Sequence, residues 1–308
     1  METVKKLSIS ADQTGQRLDN FLRKTLKGIP KSLLYKIIRD GQVRVNKCRI
    51  KPSYRIKCDD IIRIPPLEDQ TNPKISKIKL QEDIKQNILF EDRNLLVINK
   101  PSGIAVHSGT NIKNDIIESL RGIKEYRNIS LVHRIDKYTS GCLILAKNYQ
   151  TSSNLGLLFT NQKISKKYIA LLYGKTKEDN FIISKSIERK KIGGVKKMTV
   201  SQDGKTALSE FKLKNRFKNS SLFEIEIKTG RTHQIRVHSS ELGNPICGDS
   251  KYGDKQVNYD FRKIGLQRMF LHAYKVSFFY KKQFNFTAKI PNDLQQVLYN
   301  LKENIKEK

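Results

Sequence analysis

Five strand-like apolar runs occupy the chain from Ile88 onward, and they constrain the fold more than any other feature of the sequence. The runs are NLLVINK, CLILAK, KKYIALLYGK, SLFEIEIK and AYKVSFFY. Short apolar runs bounded by turn residues predict buried strands. A run TAKI is assigned as a further strand, and TSSNLGLLFTNQ, with Leu155, Leu158 and Phe159 on one face, predicts a helix. Residues 88–308 are therefore expected to form one larger α/β domain, whose final LKENIKEK frays.

A smaller unit precedes this domain and ends near Pro66. Apolar residues recur at helical spacing in GQRLDNFLRKTL and in PKSLLYKIIRDG, where Ser32 is the expected N-cap and Gly41 the stop signal. QVRVNKCRI then alternates around a turn at Asn46 and Lys47, and DDIIRIPP is a short strand. Residues 1–66 are predicted to form a helical-hairpin domain, and the polar residues 67–87 a linker with transient helix.

The charge balance points to a polyanionic partner. The chain of 308 residues carries 60 Lys and Arg against 30 Asp and Glu, a net charge of +30. Only 17 of the basic residues are Arg, and a bias toward A/T-rich codons would also enrich Lys, so the charge supports nucleic-acid binding without establishing it.

Many of these basic residues crowd the front unit. They are Lys24, Lys27, Lys31, Lys36, Arg39, Arg44, Lys47, Arg49, Lys51 and Arg55. A solvated helix face is one interpretation. Because the charge is nearly one-signed and includes the corner between the second helix and the hairpin, we favour a surface that follows RNA phosphates.

Several classes of protein are disfavoured. No apolar run approaches the ~18 residues of a membrane helix, and METVKKLSIS lacks the apolar core of a signal peptide, so we expect a cytoplasmic protein. The four cysteines form no C-x-x-C pair, so neither a structural metal nor a disulfide is expected. The sequence contains neither G-x-G-x-x-G nor a P-loop, and no cofactor is expected.

Chemistry-bearing residues concentrate in LVHRIDKYTSGCLILAK and TGRTHQIRVH. The five histidines lack metal-site spacing and are interpreted as structural hydrogen-bond formers. Asp136 is different, because a carboxylate among arginines stays ionised and can act as a nucleophile or base. It also precedes Thr139, Ser140 and Gly141, which suit a tight turn that an aspartate caps. The residue pattern leaves both roles for Asp136 open.

A resemblance bears on this choice. HRIDKYTSG resembles the H-R-L-D-x-x-T-S-G signature of the pseudouridine synthases that modify ribosomal and transfer RNA, with Ile135 where Leu is usual. NKPSGIAVH, KKYIAL, TGRTHQIRVH and LHA resemble that family's other motifs, in the family's order. The front unit resembles the RNA-binding domain named after ribosomal protein S4. The resemblance implies an α+β chain whose catalytic domain has a mixed, largely antiparallel sheet.

The resemblance also implies roles for individual residues. Asp136 resembles the family's essential acid, which attacks a ribose carbon or removes a ribose proton. Tyr168 resembles the tyrosine that stacks on the target uracil, and Arg236 the arginine that pairs with the acid. Arg134 resembles the arginine that enters the RNA as the uridine leaves its stack, and Leu271 an apolar residue near the base. In the front unit, the expected RNA-binding residues are Lys31, Lys36, Arg39, Arg44, Lys47 and Arg49.

The resulting hypothesis is an isomerase acting on specific uridines of large-subunit (23S) ribosomal RNA, without a cofactor or a membrane, and as a monomer. A non-catalytic RNA-binding ribosome-assembly factor would have lost the acid or the stacking aromatic, and Asp136 and Tyr168 are both present. A carboxylate glycosylase is a third possibility, and it would release free base.

Overall fold

The computed structural model describes residues 5–26, 31–65, 73–107, 115–192 and 194–306. The chain divides into two compact units, Met1–Ser76 and Lys77–Lys308. Each unit contains its own cluster of buried apolar side chains.

In the first unit, two short helices pack with a small antiparallel sheet. The helices are α1 (Leu18–Thr25) and α2 (Lys31–Arg39), preceded by a 3₁₀ turn at Ala11–Gln13, and the strands are β1 (Lys5–Ser8), β2 (Arg44–Val45) and β3 (Ile61–Ile64). The strand order is β1-β3-β2. Both helices bury the apolar positions that their spacing predicts, including Leu18, Leu22, Leu34 and Ile38.

The helix stop predicted at Gly41 and the turn predicted at Asn46 and Lys47 are both found, but the predicted N-cap is not. Gly41 follows α2 with φ +70°, and Asn46 and Lys47 have φ 48° and 69° in the turn after β2. These left-handed conformations suit helix ends and tight hairpin turns. Because α2 already begins at Lys31, Ser32 lies inside the helix, and the prediction that Ser32 is the N-cap was wrong.

The segment 67–87, interpreted from its polarity as a linker, contains the helix α3 (Pro73–Gln86). Leu80 and Ile84 of this helix are buried in the main core of the second unit. The division between the two units falls at Ser76, within the segment. The second half of the segment is therefore packed structure, because Leu80 and Ile84, one turn apart, bury one face of the helix.

The second unit is built around a ten-stranded mixed sheet within the described residues. Its strands are β4 (Ile88–Glu91), β5 (Leu95–Lys100), β6 (Ser130–Leu131), β7 (Ser140–Ala146), β8 (Ile164–Tyr173), β9 (Asn180–Ser184), β12 (Leu208–Arg216), β13 (Ser220–Ile227), β14 (Leu271–Tyr280) and β15 (Lys282–Thr287). A separate hairpin pairs β10 (Ile187–Ile192) with β11 (Val195–Val200). The helices are α4 (Ile116–Arg121), α5 (Tyr149–Thr160), α6 (Gln234–Glu241), α7 (Lys255–Lys263) and α8 (Asn292–Lys306), with a 3₁₀ turn at Lys124–Tyr126.

The order along the main sheet is β4-β5-β7-β14-β8-β13-β12-β9, with β15 paired to β14 and β6 to β7. All of these pairs are antiparallel except β7 with β14. The predicted mixed, largely antiparallel sheet is thus confirmed. Two details differ, because β15 ends at Thr287, at the start of TAKI, and the helix α8 continues through Leu301, which packs on a buried cluster.

The parallel pair positions the site. Ser140 and Gly141 of β7 are in register with His272 and Ala273 of β14. Because the strands are parallel, the turn that leads into β7 and the beginning of β14 lie at the same end of the sheet. The approach is close: a Cβ on Gly141, at φ +114°, would lie 2.2 Å from the carbonyl oxygen of Ala273. Only glycine fits at this position.

None of the helices in the described part of the chain combines the length and apolarity needed to cross a membrane.

Candidate active site

Asp136 lies in the turn between β6 and β7. The turn is closed by the main chain, because the amide of Thr139 donates to the carbonyl oxygen of Asp136 at 3.1 Å. The Asp136 carboxylate instead accepts a hydrogen bond from Arg236, from Nη1 to Oδ2 at 3.0 Å. About 20% of the Asp136 side chain remains exposed. The carboxylate is therefore directed at an arginine and solvent while the backbone makes the turn.

Arg236 lies on α6 and is 7% exposed. Its Nε and Nη2 donate to the two carboxylate oxygens of Asp249 at 2.7 and 2.9 Å, which leaves Nη1 for Asp136. Burial acts to lower the pKa of Arg236, but the hydrogen bonds and negative charge of Asp249, together with Asp136, raise it. A planar guanidinium can hold two carboxylates at fixed angles, which an ammonium cannot do.

Asp249 is a member of the site that the sequence motifs did not reveal. It is 1% exposed, and in addition to Arg236 it accepts hydrogen bonds from the amides of Lys251 and Tyr252, at 2.8 and 3.1 Å. Four hydrogen-bond donors offset the cost of removing this carboxylate from water. Asp249 thus fixes the arginine that contacts Asp136.

His233 is adjacent to both charged groups. It is the residue before α6, with left-handed dihedrals (φ 57°, ψ 22°), and its Nδ1 is 2.8 Å from the Tyr252 hydroxyl. Its Nε2 lies 3.8 Å from Oδ2 of Asp136. Burial lowers the pKa of His233, although the charge of Asp136 opposes that effect. His233 therefore belongs to the surroundings of Asp136, beyond the structural role expected from its sequence.

A cavity of about 70 Å³ opens beside Asp136. Its lining includes all five residues for which the resemblance implied a catalytic or base-binding role, namely Arg134, Asp136, Tyr168, Arg236 and Leu271. Tyr168 on β8 is 9% exposed, and Leu271 at the start of β14 is 3% exposed. Burial raises the pKa of the Tyr168 hydroxyl, and the charge of Asp136 raises it further. The cavity thus brings one carboxylate together with the Tyr168 ring, an apolar side chain at Leu271 and two arginines, Arg134 and Arg236.

Lys100 holds the turn at Asp136 through a hydrogen bond to the main chain of Lys137. Lys100 was not singled out from the sequence. Its side chain is fully buried, and its Nζ donates to the carbonyls of Pro101, Ile104 and Lys137 at 2.8, 2.9 and 3.1 Å. Burial lowers its pKa to about 7, although the charge of Asp136 opposes the shift. Lys100 joins the loop after β5 to the residue directly following Asp136.

Three of the other histidines are internal hydrogen-bond partners. Nε2 of His133 accepts from the amide of Ile144 at 2.9 Å, and its ring stacks on Phe159. Burial lowers the pKa of His133 to about 3 and that of His272 to about 4. His238 bridges Ser209 and a backbone carbonyl. These three match the structural interpretation of the histidines.

Four of the six predicted RNA-binding residues of the first unit, Arg39, Arg44, Lys47 and Arg49, border the corner after α2. Lys36, Arg39, Arg44, Lys47 and Arg49 are exposed. Arg44 contacts the carbonyls of Gly41 and Lys47, and Arg49 contacts that of Asp40, so the guanidinium groups border the turn after α2. Lys31 begins α2, and its side chain lies outside the described residues.

Known proteins share both units. The RNA pseudouridylate synthase family matches residues 94–241, and the S4 domain matches residues 16–62. A Haemophilus influenzae protein called ribosomal large subunit pseudouridine synthase C is 40% identical over 98% of this chain and 96% of its own. A Pasteurella multocida protein of the same name is 39% identical over 98% and 95%. Human RNA pseudouridylate synthase domain containing 4 superposes with a TM-score of 0.62 at 25% identity, covering 74% of this chain and 97% of its own.

This chain therefore belongs to the RNA pseudouridylate synthase family and carries an S4 domain in front of the catalytic domain. The prediction made from the ordered motifs, of an enzyme that isomerises uridine to pseudouridine, is confirmed.

Proposed function

We propose that this pseudouridine synthase acts on specific uridines of large-subunit (23S) ribosomal RNA, with Asp136 as its essential acid. The proposal depends chiefly on one observation: a carboxylate fixed by Arg236 lines a cavity that is also lined by Tyr168 and Leu271. The names of the most similar relatives support the choice of RNA, because they are called ribosomal large subunit pseudouridine synthases. The net charge of +30 agrees with a polyanionic substrate.

The reaction rearranges one nucleotide without redox change. The bond between N1 of uracil and C1′ of ribose breaks, the base turns, C5 bonds to C1′, and the C5 proton leaves while N1 gains one. Asp136 starts this sequence by attacking C1′ or by removing a ribose proton, and both routes require an ionised carboxylate. The hydrogen bond from Arg236 fixes the direction of the Asp136 carboxylate.

Tyr168 and Leu271 provide the surface for the uracil. Stacking on an aromatic ring contributes ~1–3 kcal/mol per base and does not read the base edge. This leaves the uracil able to turn between bond breaking and bond formation.

Arg134 is exposed at the rim of the cavity. We assign to it the entry into the RNA stack as the uridine leaves, because a base inside folded RNA must be extruded at a cost of a few kcal/mol. The guanidinium replaces part of the lost stacking and pairs with nearby phosphates.

In this proposal residues 1–66 provide RNA affinity and residues 88–308 the chemistry. The exposed basic corner formed by Arg39, Arg44, Lys47 and Arg49, together with the exposed Lys36, supports a phosphate-binding role, which we extend to Lys31. We further propose that the protein acts as a monomer, in the cytoplasm where ribosomal RNA is found.

The test treats ribosomal RNA from cells that lack this gene with purified protein. Pseudouridines are then mapped site by site through carbodiimide-resistant adducts, and the medium is assayed for free uracil. We expect new pseudouridines in the large-subunit RNA and no free base. Binding without modification would indicate an assembly factor, free uracil would indicate a glycosylase, and modification only in other RNAs would contradict the proposed substrate.

A further inference from the structure

The hydroxyl of Tyr252 links a backbone amide of the β10–β11 hairpin to a side chain beside Asp136. The amide of Met198, on β11, donates to the hydroxyl oxygen at 3.2 Å. The same oxygen is 2.8 Å from Nδ1 of His233. An amide can only donate, so the hydroxyl oxygen accepts from Met198, and its own proton is available for Nδ1.

This arrangement favours the tautomer of His233 in which Nδ1 accepts, because the hydroxyl proton of Tyr252 then has an acceptor. When Nδ1 accepts a hydrogen bond, the neutral imidazole carries its proton on Nε2. Nε2 is the atom that lies 3.8 Å from the Asp136 carboxylate, so an N–H dipole faces the negative charge. The other tautomer would turn a lone pair toward that charge. Burial lowers the pKa of His233, with Asp136, Arg236, Lys251 and Asp249 as its charged neighbours, and this supports a neutral ring.

Tyr252 also touches the second group that holds Asp136. The guanidinium carbon of Arg236 is 4.9 Å from the centroid of the Tyr252 ring, a cation–π distance. The main chain of Tyr252 is fixed in turn, because its amide donates to Asp249 and its carbonyl accepts from Ser240, both at 3.1 Å. One residue therefore contacts both neighbours of the carboxylate and is itself held rigidly.

The β10–β11 hairpin, whose Met198 amide donates to the Tyr252 hydroxyl, is basic. Arg189, Lys190 and Lys191 are exposed on β10. The charges of Arg236, Lys197 and Arg189 add to burial in lowering the pKa of Lys251, so positive charge is concentrated beside Tyr252. This hairpin is suited to contact the RNA backbone next to the cavity.

We propose that Tyr252 is a positioning residue for the isomerisation: its hydroxyl holds His233 with Nε2–H toward Asp136 and thereby couples the position of the β10–β11 hairpin to the carboxylate. The inference rests on the proposed role of Asp136.

The variant Tyr252→Phe removes the hydroxyl but keeps the ring against Arg236. Its matched control is Tyr126→Phe, which removes a hydroxyl bonded to Glu91 at 2.9 Å elsewhere in the same unit. Single-turnover rates are measured with enzyme in excess over 23S transcript, and affinity by titration at fixed salt. We expect Tyr252→Phe to lose about tenfold in rate, or ~1.4 kcal/mol, with affinity within about twofold of wild type, and Tyr126→Phe to keep both.

Two further measurements distinguish positioning from general structural support. In the wild type, ¹⁵N spectra of the imidazoles, assigned through His233→Gln, should show His233 protonated on Nε2, and Tyr252→Phe should abolish the hydrogen-bond shift at Nδ1. Adding Tyr252→Phe to His233→Gln should cause no further loss of rate. A wild-type rate in Tyr252→Phe, a proton on Nδ1, or a second tenfold loss in the double variant would each overturn the inference. Inactivity of the wild type would instead contradict the proposed function, and the spectra would still test the tautomer.

Discussion

Arg236 and Asp249 form a bidentate ion pair in which two parallel hydrogen bonds, of 2.7 and 2.9 Å, orient the guanidinium before it reaches Asp136. Both side chains are more than nine-tenths buried. The contact with Asp136 is thus made by an arginine that cannot rotate independently. The two carboxylates that contact Arg236 therefore have different roles: Asp249 is buried and structural, and Asp136 faces the cavity.

Arg236→Lys should be severely impaired although the charge is kept. One ammonium cannot hold both Asp249 oxygens and Asp136, so at least one charge-assisted hydrogen bond, contributing ~1.5–3 kcal/mol, is lost. We expect turnover to fall at least tenfold, and about a hundredfold at the upper end of this range, with RNA affinity nearly unchanged. Single-turnover assays beside binding titrations test this, and near-normal turnover would mean that this pair does not position Asp136.

Lys100 should make the stability depend on pH. Its pKa of about 7 in the folded protein lies below the ordinary 10.5, so between these values the unfolded chain binds a proton that the folded protein lacks. The free energy of unfolding therefore rises with pH through this window, by at most ~1.4 kcal/mol per pH unit.

Lys100→Met removes this group, and urea unfolding of both proteins from pH 6 to 9 isolates its effect. We expect the wild type to gain stability relative to the variant above pH 7. A constant difference would show that the three carbonyls keep Lys100 charged throughout.

Gly141→Ala should disrupt the junction between β7 and β14. The added Cβ would lie 2.2 Å from the carbonyl of Ala273, and φ +114° is strained for alanine. We expect a loss of at least ~2 kcal/mol in stability and of most activity. Gly156→Ala is the control, because Gly156 lies in α5 with open space around its Cβ position and alanine favours a helix by ~1 kcal/mol. Relative to the wild type, the melting temperature should fall in Gly141→Ala and rise in Gly156→Ala.

The sequence was informative where chemistry and periodicity are local. Helical spacing located α1 and α2, and the apolar runs located β5, β7, β8, β13 and β14. The family motifs identified residues that line one cavity although they are up to 137 positions apart in the chain, from Arg134 to Leu271. Periodicity alone could not bring them together, because the pairing of β14 with β7 and with β8 is set by long-range packing.

Other members of the site were not singled out from the sequence. Lys100 lies within the motif NKPSGIAVH, but nothing in that stretch shows that its side chain is buried, and Asp249 and Tyr252 follow a turn that resembles a solvated loop. Their burial depends on contacts with Arg236 and with the loop at Lys137, which no short stretch encodes. The segment of α3 was expected to be a linker with transient helix, and its packing was not foreseen because the burial of Leu80 and Ile84 depends on contacts with the second unit's core.

The basic corner of the first unit should contribute affinity and salt dependence without chemistry. In Lys36→Gln, Arg39→Gln and Lys47→Gln, each lost phosphate contact should lower the slope of log affinity against log salt by about one.

Deleting residues 1–66, which leaves α3 in place, should lower the slope further and still permit turnover of a short RNA fragment at high concentration. Titrations at several salt concentrations measure the slopes, and complete inactivity of the folded truncation would contradict a division between affinity and chemistry.

Asp136→Asn should abolish turnover while the fold and RNA binding persist. The turn is closed by the main-chain carbonyl of residue 136, so an amide side chain leaves it intact, and Arg236 keeps its two bonds to Asp249. The melting temperature should therefore change little. Asn is neither a nucleophile nor a base, so both proposed routes stop, while the loss of one negative charge near bound RNA slightly favours binding. Tritium release from C5-labelled RNA, beside a titration at fixed salt, measures both properties. If Asp136 only shaped the turn, Asn would replace it with turnover within tenfold of wild type, a difference of ~1.4 kcal/mol in the barrier, and that result would remove Asp136 from the chemistry.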